Sequence, residues 1–307
     1  MLRLVLLAVW IALASGLSQA ANIVLVSSDG TASYADVARA VRAELERSGV
    51  PAQEIEDYKL SDLPPEGSVT PRLFIALGSR AAAALAERDD RIPLLCAVVP
   101  KAVMERLVAS NVSKSGGLFG VALDQPTGRQ LDLIRFALPK ARRLGVMWSA
   151  DSRSTTAELL SALPVRDLRA VSPYVEPGDQ ILPALKKVLT EADVLLALPD
   201  PNIFNRNSVQ NILLSTFRAN VPVIGFSASY VRAGAVLGLY ATPDQIGRHT
   251  ASLARSLLAG RMPATAVQAP KEFVVDVNEQ VMRSLGLSLN AADLNQILLR
   301  REGRLEK

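Results

Sequence analysis

From residue 22 onward, short apolar and β-branched runs alternate with amphipathic stretches, and that alternation admits few folds. It is the signature of βαβ units and hence of a parallel sheet covered by helices. Strands are expected at 22–28, 72–77, 93–99, 117–123, 143–148, 193–198, 222–226, 235–240 and 272–277. Helices are expected at 34–49, 79–88, 127–137, 154–163, 179–190, 207–219 and 244–259, where apolar residues recur at spacings of three and four. In the first helix Val37, Ala38, Val41 and Leu45 share one face, and Gly49 ends it. With 307 residues, 49% of them hydrophobic, the chain can bury a large core as one large or two medium domains.

Two stretches echo one another. FIALGSRAAAALAERDDRIPLLCAVV and VLLALPDPNIFNRNSVQNILLSTFRANVPVIGF both run from a strand through A-L-G-S or A-L-P-D into a helix. In each, an Ile-Pro or Val-Pro pair then opens another strand. Two readings stay open: two lobes of one architecture, or the pattern that any two βαβ units share.

The start of the chain, MLRLVLLAVWIALASGLSQA, has an early arginine, an apolar run from Leu4 to Leu13, and small residues at Ser18 and Ala20 before Ala21. This is the pattern of a cleaved export signal over 1–20, and the apolar run falls short of the roughly 20 residues of a spanning helix. A free periplasmic protein is the expected product. Loss of Arg3 with the signal takes the formal net charge from +4 to +3. The remaining charge forms no basic block, which argues against nucleic-acid binding.

The absences narrow the chemistry. One histidine (His249) and one cysteine (Cys96) leave no metal cluster and no disulfide, so no metal and no cofactor are expected. Cys96 lies in PLLCAVV and reads as a buried, inert thiol; His249 reads as a helix-surface residue. Dinucleotide, P-loop and nucleophile-elbow motifs are missing. IALGSRAAAAL places Gly78 and Ser79 on a strand-to-helix turn, where free amides suit a carboxylate, or where Ser79 simply caps the helix.

Other polar material gathers at comparable strand ends. SSDGTASY offers Asp29 and Tyr34, ALDQPTG offers Asp124 and Gln125, and WSADSRS offers Trp148 and Ser149. LLALPDPNIFNRNS offers Asp200 and Asn202, and GFSASY offers Ser227 and Tyr230. Trp148 and Tyr230 are candidate stacking surfaces, while Asp29, Asp124 and Asp200 are candidates for a cation or ammonium group. Each also has an ordinary use as a turn, a cap or core packing.

Over residues 70–288 the sequence resembles the extracytoplasmic substrate-binding proteins of ABC transporters, in the branch that includes tryptophan-type binders. The resemblance is carried by FIALGSRAAAAL, by GGLFGVALDQPTGRQLDLIRFALPKARRLGVMWSADS, by VPVIGFSASYVRAGAVLGLY and, most specifically, by LLAGRMPATAVQAPKEFVVDVNEQVMRSLGL. It implies a type I periplasmic-binding fold: α/β, with two Rossmann-like lobes of parallel sheets flanked by helices, joined by a hinge. Lobe one would span 22–121 plus 241–266, and lobe two 122–240 plus 267–307. Departures from the family pattern at SSDGTASY and WSADS fall in the cleft, so ligand identity does not carry over.

The resemblance implies a monomeric, non-catalytic protein that binds a small organic ligand, of amino-acid or aromatic-carboxylate type, and delivers it to an inner-membrane ABC permease. Alternatives are a ligand-sensing partner of a membrane sensor or of an outer-membrane uptake system, and a serine hydrolase built on Ser79.

Overall fold

The computed structural model describes residues 22–88, 91–111, 116–176 and 178–304; the expected export signal lies outside them. The chain forms two sheets. The first contains β1 (Ile23–Ser27), β2 (Ile55–Lys59), β3 (Leu73–Leu77), β4 (Leu94–Val99), β5 (Leu118–Ala122) and β11 (Val267–Gln268) in the order β11-β5-β4-β3-β1-β2, all parallel. The second contains β6 (Arg143–Gly145), β7 (Arg169–Val171), β8 (Val194–Leu196), β9 (Val223–Gly225), β10 (Leu237–Tyr240) and β12 (Val274–Val277) in the order β12-β10-β9-β8-β6-β7. Its strands are parallel except β12, which runs against β10.

The central strand runs are apolar because both faces of each sheet are covered, and successive side chains alternate between them. Ile23, Leu25, Leu73, Ile75 and Leu77 enter one core beneath α1 (Ala32–Arg47) and α9 (Pro243–Leu258). Val24, Val26, Phe74, Ala76 and Cys96 enter another beneath α2 (Ser79–Ala86) and α3 (Lys101–Ser110). Helices α1 and α9 cross closely at Ala40 and Gly247, where a Cβ on Gly247 would meet the Ala40 Cβ at 2.6 Å. Lobe two repeats the plan. On one face it has α4 (Thr127–Ala137), α5 (Arg153–Ala162) and α11 (Ala291–Arg301), and on the other α6 (Leu182–Glu191) and α7 (Val209–Arg218). Short helices α8 (Ala228–Ala233) and α10 (Glu279–Ser284) complete it.

The echo in the sequence has a topological counterpart. FIALGS and LLALPD form β3 and β8, each the strand next to the first strand of its lobe, so the two halves share one architecture. Three crossings join the lobes: Leu123–Pro126, Ala241–Thr242, and the segment between β11 and β12. Val267 and Gln268, expected in lobe two, pair instead with Gly120 and Val121 of the first sheet, so the third crossing falls after Gln268. His249, expected on a helix surface, is buried at 6% exposure with its Nε2 3.0 Å from Gln268 Oε1, because α9 lies flat on this sheet. Strands β2, β7 and β11 were not evident in the sequence: IEDYK at an edge is half polar, and the other two are very short.

Candidate functional site

In each lobe the strand order reverses around the first strand, β1 or β6. A crevice for ligands opens at the carboxyl ends on either side of such a point. In lobe one the loops there follow β1 and β3. Gly78 sits at φ +91°, where a side chain would strain the backbone, and a Cβ on it would also meet the Tyr34 hydroxyl at 2.4 Å. Tyr34 thus lies against the start of α2. Capping there falls to Ser28 and not to Ser79: the Ala81 N–H donates to Ser28 Oγ at 3.0 Å, and that hydroxyl donates to the Leu77 carbonyl at 2.9 Å. The first-turn amides of Ser79 and Arg80 have no intrahelical acceptor.

Asp29 closes a local turn, accepting the Thr31 N–H at 2.9 Å, and its other oxygen accepts from Arg80 Nη2 at 2.8 Å. The Thr31 hydrogen bonds, reinforced by Arg80, hold its carboxyl below the usual carboxylate range. Burial raises the Tyr34 hydroxyl, with the Asp29 charge adding to it. The charges of Arg80 and of Arg206, on the loop after β8 in lobe two, act in the opposite sense. The two sets of loops face each other, since Arg106 of α3 meets Asp151, on the loop after β6, at 2.6 Å.

In lobe two the loops after β6 and β8 are knotted together by Asp200, which is 1% exposed. Its carboxylate accepts the Ser149 N–H at 2.9 Å, the Ser149 hydroxyl at 2.8 Å, the Ser152 hydroxyl at 2.6 Å and the Asn202 N–H at 3.0 Å. Asn202 Nδ2 donates to Ser149 Oγ at 3.0 Å and to Asp151 at 2.9 Å. Asp151 in turn accepts from Arg106 of α3 at 2.6 Å, which carries the network into lobe one. Expected as a free ligand contact, Asp200 is instead a buried scaffold whose acceptor capacity is spent within its own lobe, and Ser149, fully buried, shares that role. Ser28 and Ser149 are counterparts: each follows the first strand of its lobe and reaches across to the neighbouring loop.

Trp148 is part-exposed; its Nε1 donates to the Ser172 carbonyl at 3.1 Å and its ring lies 4.6 Å from Tyr174. The Arg153 guanidinium stands 5.8 Å from the Trp148 ring and 6.0 Å from Tyr174. Ser227 is a part-exposed cap residue of α8. Tyr230, expected as a stacking surface, packs between Phe204 and Phe226, and its hydroxyl donates to the Phe204 carbonyl at 3.1 Å. Burial raises that hydroxyl's pKa strongly. Asp124 lies apart from the rest, at the first crossing, 4% exposed and accepting the Lys101 N–H at 2.6 Å. Burial pushes its carboxyl up to about 6 and the Cys96 thiol up to about 12. Among the described residues no group of His, Cys, Asp and Glu could hold a metal ion.

Sequence reasoning missed Ser28, Arg80, Tyr174 and Arg206. The parallel between S-S-D after β1 and W-S-A-D after β6 was the signal for Ser28; the others depend on tertiary placement.

Two α/β lobes, three crossings and facing loops at the carboxyl ends of both sheets make up the type I periplasmic-binding fold. A family model described as ABC transporter substrate binding protein matches residues 68–296, and the chain belongs to that family. A curated relative, the tyrosine-binding protein of Clostridioides difficile, is 21% identical over 228 residues, which are 72% of this chain and 65% of the relative. The chain thus spans about 65% of that relative's length.

Among solved structures, a conserved domain protein from Vibrio cholerae superposes with TM-score 0.70 at 20% identity, covering 92% of this chain and 98% of the other. A domain from Streptococcus pneumonia in complex with L-Trp superposes with TM-score 0.69 at 18% identity, covering 89% and 96%. The ligand-free, open structure of a substrate binding protein with adhesive properties from Clostridium difficile gives 0.65 at 19%, covering 88% and 96%. At these identities the likeness is one of fold.

Proposed function

We propose that this protein, exported to the periplasm, captures an amino acid or an aromatic carboxylate in the cleft between its lobes and delivers it to an ABC permease. The observation that carries the proposal is the start of α2. Free first-turn amides, the Arg80 guanidinium and the Tyr34 hydroxyl gather there, a setting that favours a carboxylate. The Trp148–Tyr174 pair supplies aromatic surface at a strand end of lobe two. On this reading Asp29, Tyr34, Gly78, Ser79, Trp148 and Ser227 lie nearest the ligand, while Ser149, Asp200 and Asn202 hold the shape of the second-lobe loops. The names of the tyrosine-binding and L-Trp-bound relatives are in keeping with such a ligand.

The test is a thermal-shift titration of unfolded-and-refolded protein, free of carried-over solute, with L-tyrosine, L-tryptophan and 4-hydroxybenzoate. A ligand at 100 times its Kd stabilises by about 2.7 kcal/mol. A saturable shift that is weakened in both Arg80→Ala and Trp148→Ala supports the reading; no shift with any of the three refutes the ligand class.

A further inference from the structure

Beside the cleft, lobe one meets lobe two along α3 and along α5 with the turn that precedes it. The apolar side chains of both helices turn inward, Met104 and Leu107 to a core of lobe one, Leu159 and Leu160 to a core of lobe two. Polar side chains are left to face one another. Lys101 pairs with Glu158, the Ser154 hydroxyl donates to Glu105 at 2.7 Å, and Arg106 Nη2 donates to Asp151 Oδ1 at 2.6 Å. Partner numbers fall along one segment as they rise along the other, so the two lie side by side and antiparallel. Arg106 Nη1 also donates to the carbonyls of Ala150 and Asp151, at 3.2 and 3.3 Å.

None of the four paired charges is sealed from water. The side chains are 32% and 45% exposed in Lys101 and Glu158, and 50% and 31% in Arg106 and Asp151. Pairs so exposed are individually weak and screened by salt, and a contact between lobes without an apolar seal parts readily. The Arg106 pair reaches further than the others. The second oxygen of Asp151 accepts from Asn202 Nδ2 at 2.9 Å, and Asn202 lies on the cleft loop after β8. Lobe one is thus joined to that loop through one carboxylate.

We propose that α3 and α5 form an ionic latch for the lobe arrangement seen here, and that Arg106 is a positioning residue for the cleft loop of lobe two. The latch is independent of which ligand the cleft takes. When the helices part, Asp151 loses Arg106 and its hold on Asn202 loosens, so lobe arrangement and loop order each bias the other.

Spin labels on Glu87→Cys in lobe one and Lys187→Cys in lobe two, both exposed positions, report the interlobe distance in unfolded-and-refolded protein without ligand; the buried Cys96 does not compete for label. The expected result is that Arg106→Ala combined with Glu158→Ala raises the ratio of parted to latched molecules about fivefold at about 50 mM salt, the change that two exposed ion pairs give. About 500 mM salt moves the wild type the same way. Amide exchange at Asn202 quickens in Arg106→Ala and returns toward wild type in Arg106→Lys. A distance distribution that the double variant leaves unshifted, or that salt leaves unshifted in the wild type, overturns the latch. Unchanged exchange at Asn202 in Arg106→Ala overturns the positioning role. No ligand is added, so these outcomes are separate from those of the thermal-shift titration.

Discussion

Replacing Asp200 by Asn tests whether the second-lobe loop is a scaffold or a ligand contact. The side chain keeps its shape, but one carboxylate oxygen becomes an amide that donates. In the wild type the two oxygens receive the Ser149 N–H and hydroxyl, the Ser152 hydroxyl and the Asn202 N–H. Whichever way the amide is turned, it faces at least one backbone N–H that cannot rotate away. At 1% exposure no water compensates. Hydrogen bonds to a charged group contribute about 1.5–3 kcal/mol each, and an orphaned buried donor adds about 1–3 kcal/mol.

Neighbouring losses overlap, so the expected cost is about 3 kcal/mol, or roughly 10 °C in Tm for a lobe of this size. Calorimetry of the free protein measures it, and amide exchange at Ser149 and Asn202 localises it. A Tm within about 2 °C of wild type, together with lost ligand binding, would falsify the scaffold assignment and return Asp200 to the ligand.

Val98 sits at φ 58° on a bulge at the end of β4, a conformation unusual for a β-branched residue. Val98→Gly relieves that backbone and should raise stability in urea denaturation by about 0.5–1 kcal/mol; a loss would refute stored strain. Glu302→Ala removes the bidentate partner of Arg129, which is 6% exposed, and should cost about 2–3 kcal/mol. Adding Arg129→Met, which keeps an apolar stem near the Phe273 ring now 4.1 Å from the guanidinium, should recover part of that in a double-mutant cycle. Asp124 titrates at about 6 in the folded chain against 3.8 as its ordinary value, so the folded state holds this proton more tightly. The stabilisation is complete below about pH 4 and is lost as pH rises through 6, opposite in sign to carboxylates held low such as Glu272. The stability of Asp124→Asn relative to wild type should therefore rise across that window, by up to about 3 kcal/mol, in pH-resolved denaturation.

The chain's local patterns determined its class of fold. Continuous apolar runs such as LFIAL and LLCAVV require cover on both faces, and the helical stripes between them supply it, so parallel sheets and crossovers follow from residue order alone. The polar strand ends were legible for the same reason: SSDG, GSR, WSADS and PDPN interrupt apolar runs where the chain must turn. What they do was not legible. Asp29, Asp200 and Tyr230 read alike as polar groups at strand ends, yet one binds an arginine at the cleft, one is sealed inside a hydrogen-bond knot and one packs in an aromatic core. Their partners, Arg80, Ser149 and Ser152, and Phe204, lie on other segments of the chain. A polar side chain's role is fixed by which donor, acceptor or ring comes within about 3–5 Å, and only the folding of separate loops onto one another decides that.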